Sequence, residues 1–203
     1  LGFEGESVVW VRTAFDAAIA PGPKDFDFNL QQYTITEERQ QAVDFSEGYY
    51  NAPQAVFGLA DSPAASAASV ADLASLKIGV ASGTTSVTYV EEVIKPEAEP
   101  YIFPDNAAAK VALESGQIDA IVSDLPTALY ITGVEIEGTK VFGQFPVDAG
   151  GAGDQWGLLF TKDNPLVECA NLALQALTES GELAAITDEW MAGYTEAPTL
   201  SKD

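Results

Sequence analysis

Arg39 closes the run Thr34-Ile35-Thr36-Glu37-Glu38-Arg39 and is one of two arginines in the chain, the other being Arg12. Thr36 can cap a short helix, which puts Arg39 in a first turn where positive charge opposes the helix dipole, so local stability does not explain it. The plain alternative is a surface ion pair with a nearby glutamate, which is common and worth little. A second group, Ser82-Gly83-Thr84-Thr85-Ser86, sets hydroxyls and N–H groups where a strand turns into a helix, an arrangement that favours an anion. It is not a phosphate loop, because the glycine spacing and the lysine are missing. Capping by Thr84 or Thr85 would account for its hydroxyls without any ligand. Asp124, just before Leu125-Pro126, is a third candidate and reads equally as a helix cap or as an acceptor for an ammonium group. An arginine, a hydroxyl cradle and an aspartate match the two charges of a zwitterionic α-amino acid. Phe15 could stack over a ligand's aliphatic part or belong to the core, and Tyr49, Tyr50 and Trp156 read as packing.

The elements that must position these groups alternate. A strand at 77–81 leads through the turn 82–85 to a helix with Val87, Val90, Val93 and Ile94 at helical spacing. A strand at 101–103 follows, then a helix capped by Asp105 or Asn106 and ended by Gly116, a strand at 119–122, and a helix that carries Pro126 in its first turn. This order predicts a parallel sheet with right-handed crossovers, with ligands outside the carboxyl ends of its strands. Segments 7–11 and 25–30 read as further strands, and 156–160 as another. Two closing helices span 165–179 and 182–191, with Leu172, Leu174, Leu177, Leu183, Ile186 and Trp190 at helical spacing. The small-residue stretch 62–75 reads as a connector into a short helix. Elements on both sides of a self-contained α/β block predict a discontinuous outer lobe, 1–53 with 154–203, around an inner lobe at 54–153.

Composition excludes several classes of function. Nine Lys plus Arg against 31 Asp plus Glu give a net charge of −22, which repels nucleic acid and anionic lipid. Histidine is absent and Cys169 is the only cysteine, which removes the usual general base and the commonest metal ligands and forbids an intrachain disulfide. No cofactor or metal is expected. No apolar run reaches the roughly 18 residues of a membrane span, and the first residues lack the pattern of a signal peptide, so the chain as given reads as soluble.

Several segments together resemble the extracellular solute-binding proteins of polar amino-acid ABC importers, of the family 3 type and actinobacterial in character. They are Phe15-Asp16 with 19–24, Phe26-Asp27-Phe28, the run 34–39 leading to Val43-Asp44-Phe45-Ser46 and Tyr49-Tyr50, Ile78-Gly79-Val80 before Gly83-Thr84-Thr85, and 116–120 before Asp124. The closing segments Pro165-Leu166 and Gly181-Glu182-Leu183 up to Trp190 fit as well. The resemblance implies a two-lobe α/β fold of the periplasmic-binding-protein type, type II, with the ligand cleft between the lobes. It implies that Arg39 grips the ligand carboxylate with a two-pronged pair, that Thr34 offers a hydroxyl and an N–H, and that Gln32 offers a carbonyl. Thr85 would donate to the carboxylate, Asp124 would accept the ammonium, and Phe15 would form an aromatic wall. Ala81, Gly83, Thr84 and Ser123 would lie near the ligand, and their small polar character leans towards a neutral or acidic polar side chain.

The implied function is capture of a free polar amino acid for a membrane permease, by a non-enzymatic and monomeric protein that is extracellular, periplasmic or a cell-surface lipoprotein. Two other uses of the same scaffold are an arogenate or cyclohexadienyl dehydratase and an amino-acid-sensing receptor domain. Against the family pattern, Gly2-Phe3-Glu4 passes almost directly to Ser7-Val8-Val9-Trp10, as if the first strand and first helix were missing or supplied by another chain.

Overall fold

The computed structural model describes residues 5–146, 153–191 and 197–202. In chain order the elements are α1 (Phe15–Ile19), β1 (Asn29–Thr34), α2 (Glu37–Gln40), β2 (Val43–Phe45), β3 (Tyr50–Ala52), β4 (Gln54–Leu59), β5 (Ile78–Ala81), α3 (Thr85–Tyr89), β6 (Tyr101–Phe103), α4 (Asn106–Glu114), β7 (Ala120–Asp124), α5 (Leu125–Tyr130), β8 (Thr139–Gln144), β9 (Asp154–Thr161), α6 (Leu166–Glu179) and α7 (Glu182–Met191). The chain divides into two compact units, Leu1–Asn51 with Gln155–Ala192, and Ala52–Asp154 with Gly193–Asp203.

In the first unit, β9 is flanked by β1 and β2, both antiparallel to it, and β3 also pairs with β9. One face packs Tyr33, Val43, Phe45 and Leu159 against α1, where Ala18 is fully buried. Tyr33 and Thr34 lie opposite Gly157 and Trp156, but the register breaks between Asn29 and Tyr33, where Gln32 takes a left-handed φ of 60°. A left-handed residue at a register break marks a bulge, which re-aims the residues that follow. Two strand expectations change here. Residues 8–14 form no strand, and Val9 and Trp10 are exposed, because a run of apolar residues makes no strand without a partner. Residues 25–28 are irregular and the strand starts at Asn29, since Phe26 and Phe28 are held by packing rather than by a ladder. Leu172, Ile186 and Trp190 of the last two helices are exposed, although their spacing suggested a buried stripe.

The second unit is a five-stranded sheet in the order β6-β5-β7-β4-β8. β5 runs parallel to β6 and β7, as the alternation of elements predicted, while β4 is antiparallel to β7 and β8. Both faces are covered. Val80, Val90, Val122 and Phe142 fill one side, and Phe57, Leu113, Ile121 and Ile131 the other. Strands buried on two faces read as continuous apolar runs, which is why β5 and the middle of β4 are almost wholly buried. Asp105 caps α4 by accepting from the Ala108 N–H, Gly116 is left-handed, and α3 continues as a π-helical stretch, Val90–Ile94.

The C-terminal residues 197–202 are part of this second unit, not of the first as the sequence suggested. Thr199 bridges to Gln144 and Ser201 to Ser69, and Leu200 is buried beside Gly143, where an added Cβ would come within 2.8 Å of Leu200 Cγ. One leucine dropping into a hole left by a glycine has no periodicity that a sequence could display. Leu200→Ala is expected to destabilise the second unit by about 2–4 kcal/mol, read as a lower urea midpoint at unchanged m-value. A loss below about 0.5 kcal/mol, the level of an ordinary surface change, would show that this strap does not bear on stability.

Candidate functional site

In the first unit the site begins with an aromatic pair. Phe15, the first residue of α1, stacks on Tyr33 with ring centroids 4.3 Å apart and planes at 23°. The Tyr33 hydroxyl lies 3.1 Å from the Phe15 carbonyl oxygen and 3.0 Å from Gln31 Oε1, which ties β1 to α1. The Arg39 guanidinium carbon sits 5.6 Å from the Phe15 ring centre and 5.9 Å from that of Tyr33, within the range of cation–π attraction. Burial pushes the Tyr33 phenol pKa well up, and the Arg39 charge opposes part of that rise.

Arg39 is only 9% exposed, so it is not the solvated surface arginine of the plain alternative. Its Nη1 donates to the Thr34 carbonyl at 2.7 Å, and its backbone N–H donates to the Thr36 hydroxyl at 3.2 Å. Thr36 therefore caps α2 as expected, and the cap fixes the backbone from which the guanidinium reaches back to β1. Thr34 is buried, its carbonyl engaged by Arg39, and Gln32 forms the left-handed step two residues before it. The structure thus gathers Phe15, Thr34 and Arg39, with Tyr33 as a supporting residue that the sequence reading had not singled out.

In the second unit the site forms where β5 and β7, parallel neighbours, end side by side. Ala81 closes β5, Gly83 is left-handed at φ 70°, and Thr85 opens α3. Neither threonine caps α3 through its side chain, contrary to the capping expectation: the Thr84 hydroxyl donates to the Ala81 carbonyl at 2.7 Å. The Thr85 hydroxyl donates to Asp154 Oδ2 at 2.5 Å, and Gln54 Nε2 donates to the same oxygen at 2.7 Å. Ser86 Oγ completes the chain by donating to Gln54 Oε1 at 2.8 Å, and both Gln54 and Ser86 are buried. A hydroxyl carries one proton. Thr85 has spent its own on Asp154, so its remaining donor towards an anion is its backbone N–H in the first turn of α3.

Asp124 ends β7 and caps α5, its Oδ1 accepting from the Thr127 N–H at 3.0 Å. Gln54 lies directly opposite Asp124 in the antiparallel β4–β7 ladder, so the residue that binds Asp154 is also the cross-strand neighbour of Asp124. Burial raises the Asp124 pKa, hydrogen bonds to Thr127 oppose the rise, and the charge of Asp154 adds to it. Ser123 is buried, with its hydroxyl 3.0 Å from the Asp124 carbonyl. Sequence reasoning missed Asp154, Gln54 and Ser86. Thr85 and Asp154 are 69 residues apart, and only the sheet topology brings them together.

Comparison with known proteins gives a consistent answer. The sequence profile of the bacterial extracellular solute-binding proteins, family 3, matches residues 4–193. An arginine-binding periplasmic protein of Mannheimia haemolytica is 32% identical over 173 residues, 84% of this chain and 68% of that protein. An L-arginine-binding protein of Pseudomonas aeruginosa is 30% identical over 189 residues, covering 90% and 72%. Among solved structures, an ancestral arginine-binding protein bound to glutamine superposes with a TM-score of 0.74 at 32% identity, over 88% of this chain and 77% of that one.

The raised Asp124 pKa fixes the sign of a pH effect. A carboxyl whose pKa is higher folded than unfolded binds its proton more readily in the folded state, so stability falls as pH rises from the ordinary 3.8 through the folded value. The ionised form of Asp124 therefore costs the folded protein stability. Asp124→Asn keeps an oxygen to cap α5 and removes the charge. It is expected to raise the Tm of the ligand-free protein at pH 7, with the difference from wild type shrinking as pH drops to about 4. Differential scanning calorimetry at several pH values checks this, and a lower Tm for the variant at pH 7 would contradict it.

Proposed function

Because the chain belongs to the bacterial extracellular solute-binding proteins of family 3, we propose that it binds a free polar L-amino acid and hands it to the membrane permease of an ABC importer. The observation that carries this reading is Arg39, a buried guanidinium braced by Phe15, Tyr33 and the Thr34 carbonyl. The planar fork of a guanidinium suits the two oxygens of a ligand carboxylate. Asp124 is the ammonium acceptor in this reading, and the Thr85 backbone N–H adds a donor to the carboxylate. Gln32 and Thr34 contribute backbone groups, and Ala81, Gly83, Thr84 and Ser123 border the ligand's side chain. Phe15 offers its ring both to Arg39 and to the ligand's aliphatic part. The names of the relatives, which speak of arginine and glutamine, support a polar amino acid.

The protein acts by binding and release, as a monomer, without catalysis. Isothermal titration calorimetry against the common amino acids is the test. Binding by at least one polar amino acid is expected, and Arg39→Lys, which keeps the charge but loses the fork, should weaken it about 10- to 100-fold. Silence from every amino acid with a folded sample sinks the reading. Undiminished affinity in Arg39→Lys removes the carboxylate role of Arg39.

A further inference from the structure

We infer that Gln54, braced by Ser86, is a positioning residue for ligand binding: it steadies Asp154, which anchors Thr85 and so sets where the Thr85 backbone N–H meets the ligand carboxylate. The inference rests on the proposed reading, in which that N–H is a donor to the carboxylate of an amino acid. Gln54, Thr85, Ser86 and Asp154 all belong to the second unit, so the chain of contacts is complete within it.

The turn after β5 needs such an anchor. Gly83 is left-handed, neither Thr84 nor Thr85 caps α3 through its side chain, and the Thr85 hydroxyl is tied to Asp154 Oδ2. Asp154 is the first residue of β9, and Gln54 Nε2 donates to the same oxygen at 2.7 Å while lying 3.5 Å from Thr85 Oγ1. A carboxylate only accepts, so the Gln54 amide turns its nitrogen to Asp154 and its oxygen away. That oxygen meets the Ser86 hydroxyl at 2.8 Å, and a donor there fixes the amide in this one orientation. Gln54 and Ser86 are 4% and 3% exposed, so water cannot stand in for either partner. The Gln54 backbone is equally fixed: β4 lies between β7 and β8, and the Gln54 carbonyl accepts from the Phe145 N–H at 2.9 Å. The side-chain contacts then close on themselves, from Thr85 through Asp154 and Gln54 to Ser86, the next residue in the chain. A closed ring of bonds resists displacement of Thr85 more than one bond does.

Calorimetry against the common amino acids, carried forward with the tightest binder and paired with thermal denaturation, tests the inference on the whole chain. Gln54→Met keeps the length of the side chain and removes its hydrogen bonds, and it should weaken binding about tenfold. In a Thr85→Val background, where the hydroxyl link is already absent, the same change should cost less than about twofold, the mark of residues that act in series. Leu200→Ala destabilises the same unit away from the ring and should leave affinity within about twofold of wild type, which separates positioning from lost stability. Ser86→Ala removes the brace but not the amide and should weaken binding about threefold, and it carries the test if Gln54→Met does not fold. Undiminished affinity in Gln54→Met or Ser86→Ala overturns the inference and leaves the amino-acid reading intact. So does a comparable loss in Leu200→Ala, or an equal loss from Gln54→Met with and without the Thr85 hydroxyl. No binding of any amino acid by the folded wild type overturns the amino-acid reading itself, and this inference with it.

Discussion

A guanidinium taken out of water must be given acceptors and polarisable surface, and much of the first unit is arranged around that need. The Thr36 cap ends the approach to α2 at a fixed angle, so that Arg39, three residues on, can turn back and donate to Thr34 at the end of β1. The bulge at Gln32 sets where β1 resumes its register, and so where Thr34 and Tyr33 point. Phe15 and Tyr33 supply ring faces to the same guanidinium, and the Tyr33 hydroxyl ties the two elements that carry them. Replacing any one of these parts loosens the others, since each is a boundary condition on where Arg39 sits.

The second unit achieves the same end by topology. Parallel strands β5 and β7 are neighbours, so their carboxyl ends open at one edge of the sheet, where Asp124 ends β7 and the turn after β5 carries Thr84-Thr85. The edge of an open α/β sheet is where ligands of such folds bind. Antiparallel β4 then lies against β7 and brings Gln54 opposite Asp124, while Asp154, at the start of β9, reaches the same group from another part of the chain. Rigid buried strands thereby hold a polar network whose members come from four separate stretches of sequence.

That difference explains what the sequence made legible. Arg39 was readable because its motif is local: a capping threonine, two glutamates and an arginine on one short helix have a meaning within six residues. Asp124 and the 82–86 turn were readable because a strand end followed by a helix start leaves a signature in composition. Asp154 had no such signature, since its significance lies in a hydrogen bond to a threonine 69 residues earlier. β4 and β8 were passed over for a related reason, being apolar or mixed runs without alternation that only their ladders identify. The placement of 197–202 turned on a single leucine beside a glycine. Where the apolar pattern misled, at 8–11 and on α6 and α7, it reported side chains able to be buried, and burial needs a partner as well as a pattern.

The carboxylates of the second unit place stability and recognition in opposition. Asp124 is partly buried, and burial first and the charge of Asp154 second raise its proton affinity, against the hydrogen bonds of Thr127. A neutral side chain at Asp124 would be easier to bury in the fold than a carboxylate whose charged form is disfavoured there. Gln54 makes the compromise tolerable, since it spaces the two aspartates by bonding one and flanking the other, and Ser86 keeps it from turning away.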